Sequence, residues 1–265
     1  MNRRRFLKTS IATTTATWVT MNPEPVRAAP APALREVYEL ETYSLRPGTM
    51  SERFDEFYRD VAVVAWNRAG VRPVGVFRPA DDAAPPSRAV LLPFPDWPAA
   101  RSCREKFEAD PLVAQAGFSR APATDPGFIR KESSLLLAFA GLPRIAIPAQ
   151  TRAGKPRLFE LRTYESHSRR ANQKKVAMFN EGEIAIFQRT GLQPVFFGEA
   201  WSGPQLPKLT YLLVFDDRAS RDRNWQQFVA DPDWKKMSTT PGYTDAEIVS
   251  RITNVFLHPT SYSQI

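Results

Sequence analysis

The sequence predicts an α+β protein made of two tandem β-α-β-β-α-β units, the ferredoxin-like arrangement. Three observations predict it. The 265-residue chain repeats itself at an offset of 121 residues. Each copy opens on a run that alternates apolar and polar residues with period two, as a half-buried strand does. Between the copies, GLPRIAIPAQTRAGKP at 141–156 is rich in Pro and Gly, as linkers are.

The repeat keeps one register throughout. YELETYSLRP from Tyr38 returns as FELRTYESHS from Phe159. Gly70 matches Gly191, Pro73 matches Pro194, Phe94 matches Phe215, and Ala109-Asp110-Pro111 matches Ala230-Asp231-Pro232. A unit this long is a duplicated domain, since solenoid repeats are far shorter. The first strands fall at 37–44 and 158–166. Helices follow at 50–69 and 170–190, the first with an apolar stripe of Phe54, Phe57, Val61, Val64 and Ala65. Gly70 and Gly191 stand where a left-handed residue ends a helix. Two strands come next, 73–78 with 88–94, then 194–201 with 209–215. The second helices, 97–109 and 218–230, stop at Asp-Pro. Last strands at 132–140 and 247–257 close the units.

One such sheet carries helices on one face and leaves the other in need of cover, which a second copy supplies by packing sheet against sheet. Glu39, Glu41 and Tyr43 are expected on that covered face, with Glu160, Arg162 and Tyr164 from the second copy. There Glu41 would oppose Arg162 across a pseudo-twofold axis, as an ion pair between halves or a clamp on substrate.

Composition bounds the function. Hydrophobic residues make up 43% of the chain, with 17 Phe and 6 Trp, enough for a sizeable core. The single Cys103 excludes an intramolecular disulfide, a Cys-rich zinc site, an iron–sulfur cluster and a c-type haem attachment. A lone Cys on a helix is expected to be a small buried hydrophobe. With two His and no paired Cys, no transition-metal site is expected. Of the net charge of +8, +4 lies in residues 1–28. No Lys/Arg block interleaved with aromatics follows, so nucleic acid is not an expected partner.

The leader is an address. NRRRFLKTS, with Arg3, Arg4, Arg5, Phe6, Leu7 and Lys8, resembles the twin-arginine export signal. The Thr-rich SIATTTATWVTM after it is too short and polar to span a bilayer but suits a signal-peptide middle region. Cleavage is expected after VRA at Val26–Ala28, or at Ala29, Ala31 or Ala33. The resemblance implies a folded passenger, the twin-arginine machinery as partner, and a periplasmic or extracellular destination. Many passengers of that route fold around a cofactor first; the sequence does not name one here. No other apolar stretch reaches membrane-spanning length. The expected divisions are 1–33 leader, 34–141 first unit, 142–156 linker and 157–265 second unit.

YELETYSLRPG, FELRTYESHS, FNEGEIAIFQRTGLQPVFFGEAWSGPQLPKLTYLLVF and the ending NVFLHPTSYSQI resemble the NIPSNAP family of the dimeric α/β barrel superfamily. The resemblance covers both repeats and is strongest in the second. The first lacks the FFGE run and carries ADDAAPPS at 80–87 instead. It implies that the two units pack as one α/β barrel. The family has no settled reaction, and its superfamily includes cofactor-free monooxygenases and haem-handling enzymes.

The candidate catalytic residues are His167 and Glu183. His167 ends a strand near Tyr164, Glu165 and Asn172, where a proton shuttle is wanted. Glu183 lies four residues from both Phe179 and Phe187. That setting raises a carboxyl pKa if it is buried, or leaves it at the edge of the stripe in water, the reading we expect. Arg162, Tyr164, Asn180 and Glu199 are the candidate ligand-binding residues. Glu199 and Trp201 should share a face with Val195 and Phe197. No Walker loop, G-x-G-x-x-G, G-x-S-x-G or H-E-x-x-H occurs. The expectation is a binding protein for a small apolar or aromatic molecule or a protein partner. The alternatives are a monooxygenase-like enzyme with His167 or Glu183 as base, a haem held by His167, and a duplicated interaction module. Exposed strand edges also allow a homo-oligomer.

Overall fold

The structure, a computed structural model, describes residues 34–265; the leader and its export motif lie outside the described residues. Eight strands form a closed antiparallel barrel: β1 Val37–Ser44, β2 Gly75–Pro79, β3 Ser87–Phe94, β4 Arg130–Ala138, β5 Leu158–Glu165, β6 Gln193–Ser202, β7 Lys208–Phe215 and β8 Arg251–Pro259. Around the barrel the order is β1-β3-β2-β8-β5-β7-β6-β4, so each half contributes one ferredoxin-like sheet. The seams are the β2–β8 and β4–β6 pairs.

The repeat offset reaches the last strands. β4 and β8 begin at Arg130 and Arg251, 121 residues apart, where 132 and 247 were expected. Glu247 lies outside β8 because its carboxylate is used elsewhere, in a capping box with Thr244 at the short helix Asp245–Ile248.

Each long helix is interrupted at the same place. Thr49–Phe57 and Val63–Ala69 are joined by a π-helical turn, Tyr58–Ala62; Arg169–Met178 and Ile184–Arg189 are joined by another, Phe179–Glu183. The turn rotates the following residues relative to a continuous α-helix and is frequent at functional sites. Gly70 and Gly191, at φ 97° and 81°, follow these helices in the left-handed region that favours glycine.

The two faces of each sheet have separate cores. Inside the barrel, Tyr38, Phe77, Leu91, Leu136, Phe159, Phe196 and Leu212 pack with Ile265. Each large apolar side chain buried this way stabilises by about 1.5–3 kcal/mol. Ile265 enters because the C-terminal turn folds back along β2, where Gln264 Oε1 accepts from the Val74 amide and Ser263 Oγ from that of Val76. Outside, one core joins the first sheet to its helices through Phe54, Tyr58, Trp66 and Phe94. The matching core of the second half holds Tyr164, Phe179, Phe187, Phe197, Tyr211 and Phe228.

This division overturns one expectation. Tyr38 and Phe159 point into the barrel, so Glu39, Glu41, Tyr43, Glu160, Arg162 and Tyr164 point the other way, toward the helices. Glu41 and Arg162 do not pair across the halves. Glu41 instead meets Arg104 and Lys131, at 3.4 and 2.5 Å, while Arg162 meets Glu160 at 2.9 Å. The covered face is apolar because a carboxylate there would have no water and no helix-borne partner.

Candidate functional site in the second half

The site grows from Glu160, which is fully buried on the helix-facing side of β5. Its carboxylate accepts from Arg221 Nε and Nη2 at 2.9 and 2.8 Å, Arg162 Nη1 at 2.9 Å, Trp225 Nε1 at 2.9 Å and Asn254 Nδ2 at 3.3 Å. Burial alone would push its pKa up; hydrogen bonds from Arg221 and the nearby charge of Arg162 win and hold it at about 2. The first half builds a counterpart with other residues: Glu39 pairs with Arg104 and accepts from Ser133 at 2.7 Å.

One step along β5, Arg162 lies between Glu160 and the Tyr164 hydroxyl, to which it donates at 3.1 Å. Its guanidinium sits 4.6 Å from the Trp225 ring centroid. Tyr211, from β7, donates to Tyr164 at 3.0 Å, and burial pushes its hydroxyl well above the usual phenol pKa.

Against this face the helix brings Lys175 and Glu183, each 1% exposed or less. Lys175 Nζ lies 3.2 Å from Glu183 Oε2 and 3.1 Å from Asp245 Oδ1. It is ringed by Tyr164, Phe179 and Trp234 at 5.6, 5.2 and 5.3 Å, close enough for cation–π attraction. Burial pulls the ammonium pKa down, but Glu183, Asp245 and Tyr164 together hold it above the ordinary value. Glu183 behaves differently. Burial pushes its carboxyl up to about 7 against the pull of Lys175, and Oε2 accepts no aligned hydrogen bond. A buried acid that titrates near neutrality is suited to take or give a proton.

The first half offers an internal comparison. Phe54 stands at the position of Lys175, Ala62 at that of Glu183 and Glu41 at that of Arg162. There Tyr58 stacks on Phe54 at 4.4 Å and donates to Tyr43 at 3.0 Å. In the first half the buried acid, Glu41, and the ammonium it meets, Lys131, both come from the sheet; in the second half the helix itself carries an acid and an ammonium.

The expected site residues separate. Arg162, Tyr164 and Glu183 come together; Glu183 is buried instead of reaching water, because it ends the π turn that faces the sheet. Asn180 is turned away and half-buried, accepting from the Gly141 amide at 2.7 Å and donating to the Val176 carbonyl. It fastens the helix to the start of the linker. His167 is exposed, on the rim of a recess with Arg170 and Lys174. Glu199 is half-buried in β6, in register with Leu137 and Leu209. A bulge between Pro194 and Phe196 shifts the alternation, so Val195 joins the barrel interior while Phe197 faces the helices. Val195 and Phe197 therefore do not share a face. Lys175, Tyr211 and Asp245 were missed. The signal for Lys175 was available, since a charge replaces the stripe residue Phe54 at the repeat offset.

Among the described residues, no three His, Cys, Asp or Glu side chains gather as a metal site, and no helix is long and apolar enough to cross a membrane.

Residues 159–264 match the NIPSNAP family. The NIPSNAP segment thus contains Glu160, Arg162, Tyr164, Lys175, Glu183 and Tyr211. A NIPSNAP-like domain protein from Burkholderia xenovorans is 21% identical over 40% of this chain and 88% of its own, with a TM-score of 0.37. Two other solved structures align over more of the chain. A protein of Lactobacillus acidophilus NCFM named "putative monooxygenase" is 11% identical, covering 85% of this chain and 94% of its own at a TM-score of 0.54. An anthrone oxidase-like protein is 8% identical, covering 85% and 92% at 0.52. At these identities the likeness is one of fold. No curated protein matches the chain.

Proposed function

We propose that the NIPSNAP half binds a small aromatic molecule with an ionisable hydroxyl, between the helix layer and the outer face of its sheet. Glu183 exchanges the proton. One observation carries the reading: a buried Lys175–Glu183 pair occupies the place where the first half packs Phe54 and Ala62. A buried ion pair is commonly no more stabilising than the apolar side chains that would replace it, so its presence in one half asks for a use. Tyr164 and Tyr211 add hydroxyls that can polarise a ligand oxygen, and Phe179, Trp225 and Trp234 add aromatic faces.

The barrel interior holds no such charged pair; Tyr38, Phe77, Phe159, Phe196 and Ile265 make it an apolar core. A second reading extends the first. The anion made by Glu183 would then be the electron-rich species that a cofactor-independent monooxygenase offers to dioxygen. Burial beside two phenols favours Glu183 over the exposed His167 as that base. A haem on His167 is not proposed, because that ring lies at an open rim. The leader motif supports export of the folded chain by the twin-arginine route, with cleavage before the first strand.

Trp225 and Trp234 report on the site. Titration with 2-naphthol should quench tryptophan fluorescence saturably. In the double variant Lys175→Phe, Glu183→Ala, which copies the first half, affinity should fall at least about tenfold, the loss of one charge-assisted contact. Equal affinity in both proteins would remove the reading.

A further inference from the structure

The Lys175 ammonium meets one carboxylate too many. Glu183, from the same run of helix, lies 3.2 Å from it, and Asp245, from the short helix Asp245–Ile248, lies 3.1 Å away. One positive charge between two negative ones leaves this trio with a surplus charge. The two carboxylates differ in depth: the Glu183 side chain is 2% exposed and that of Asp245 43%. Asp245 is the one that reaches water.

Asp245 belongs to a strap, residues 232–247, laid over the helix that carries Lys175 and Glu183. Trp234 stands 5.3 Å from Lys175 Nζ, Met237 Cε packs where a Cβ on Gly182 of the π turn would lie, and Lys174 Nζ donates to the Gly242 carbonyl at 2.8 Å. No side chain of the strap is buried, although Phe228 before it and Ile248 after it are, each 2% exposed. A recess of about 430 Å³ undercuts it, between Gly182 and Ile186 of the helix and Met237 and Thr240 of the strap. A segment that buries so little opens more readily than the core beneath it.

The first half closes the same place with an apolar seal. Phe118 stacks on Phe57 at 4.4 Å and meets Phe54, which stands at the position of Lys175, at 5.8 Å. Val113, at the position of Trp234, is 7% exposed, and Thr124 stands at that of Asp245. The root of the segment is alike in both halves, with Arg68 on Asp110 and Arg189 on Asp231 at 2.9 and 2.6 Å. The second half has exchanged the aromatic seal for an ion pair open to solvent, and such pairs hold a segment shut only weakly.

We infer that Asp245 is a built-in stand-in for the ligand's oxyanion, and that the strap 232–247 opens to exchange the two. The inference rests on the proposed binding reading and gives that site its regulation. The aromatic hydroxyl passes its proton to Glu183, its oxygen, now an anion, takes up the contact with Lys175, and Asp245 carries its charge out to water. Lys175 then faces one anion and one neutral acid, so the exchange removes the surplus charge. A ligand that cannot ionise has nothing to offer Lys175 in place of Asp245.

Tryptophan fluorescence titration of the full chain with 2-naphthol and 2-methoxynaphthalene tests it. Asp245→Asn and Asp245→Thr, the second copying Thr124, should bind 2-naphthol about tenfold tighter than wild type, the value of the charge-assisted contact that no longer competes. Neither should bind 2-methoxynaphthalene more tightly. Asp245→Glu, which keeps the charge, should bind both ligands as wild type does. A merely structural partner of Lys175 would give unchanged or weaker binding when removed. Three results would overturn the inference: no gain for 2-naphthol in either neutral variant, an equal gain for both ligands, or the same gain in Asp245→Glu. If 2-naphthol still binds wild type in those cases, the strap alone has failed; if it binds neither wild type nor the variants, the underlying reading has failed with it.

Discussion

Glu183→Gln keeps the shape of a buried side chain and removes its proton equilibrium. In the folded protein the carboxyl titrates at about 7, raised from an ordinary 4.5. The folded state therefore binds the proton more tightly than the unfolded state. Below pH 4.5 both states carry it, and the stability linked to it is fully present. As pH rises from about 4.5 through 7, the unfolded chain has lost the proton while the folded chain still holds it, so stability falls. The shift corresponds to about 3 kcal/mol across that window. Lys175 stays charged throughout, because its own pKa is raised, and so contributes a constant offset. Urea unfolding of wild type and Glu183→Gln at a series of pH values gives the difference directly. Whatever its value at pH 4.5, the difference should move by about 3 kcal/mol in the variant's favour by pH 8. A difference flat with pH, or one that moves the other way, would show that the buried Glu183 carboxyl does not carry a raised pKa.

Three other outcomes follow. Glu160→Gln leaves Arg221 and Arg162 without their carboxylate and should lose about 3–5 kcal/mol in urea unfolding. It should also flatten the acid limb, because a group held at about 2 adds stability that is full above 4.5 and lost as pH falls toward 2. Ile265→Ala opens the fully buried end of the barrel core and should lower stability by about 2–5 kcal/mol, read from the urea midpoint. Cys103 is 7% exposed and burial pushes its thiol up, so iodoacetamide should label it slowly in the native protein and readily in denaturant.

The architecture was legible because duplication carries its own control. Two runs of period-two alternation at one offset, each followed by the same order of elements, leave little choice of topology. Which face looked inward was not legible from alternation, since a strand buried on both sides shows two stripes and the pattern does not say which one meets helices. Glu39 and Glu160 could have indicated it, because Arg104 and Arg221 lie on the following helices and only the outer face reaches them. The π turns were hidden, as nothing in FNEGE announces a rotated turn. That turn decides whether Glu183 reaches water, so the depth of the candidate base was hidden with it. Val195 was misplaced for a similar reason, a bulge with no sequence mark. Lys175 was the readable clue left unread.

The proposed proton exchange requires that the Glu183 carboxyl, in the helix–sheet layer of the second half, titrate near neutrality. The most direct measurement is carbon NMR of side-chain-labelled glutamate across pH, with the Glu183 signal assigned by its absence in Glu183→Gln. The expected midpoint lies close to the folded-state value of about 7. A midpoint in the ordinary glutamate range, about 4.3, would contradict it and return Lys175–Glu183 to the role of a structural ion pair.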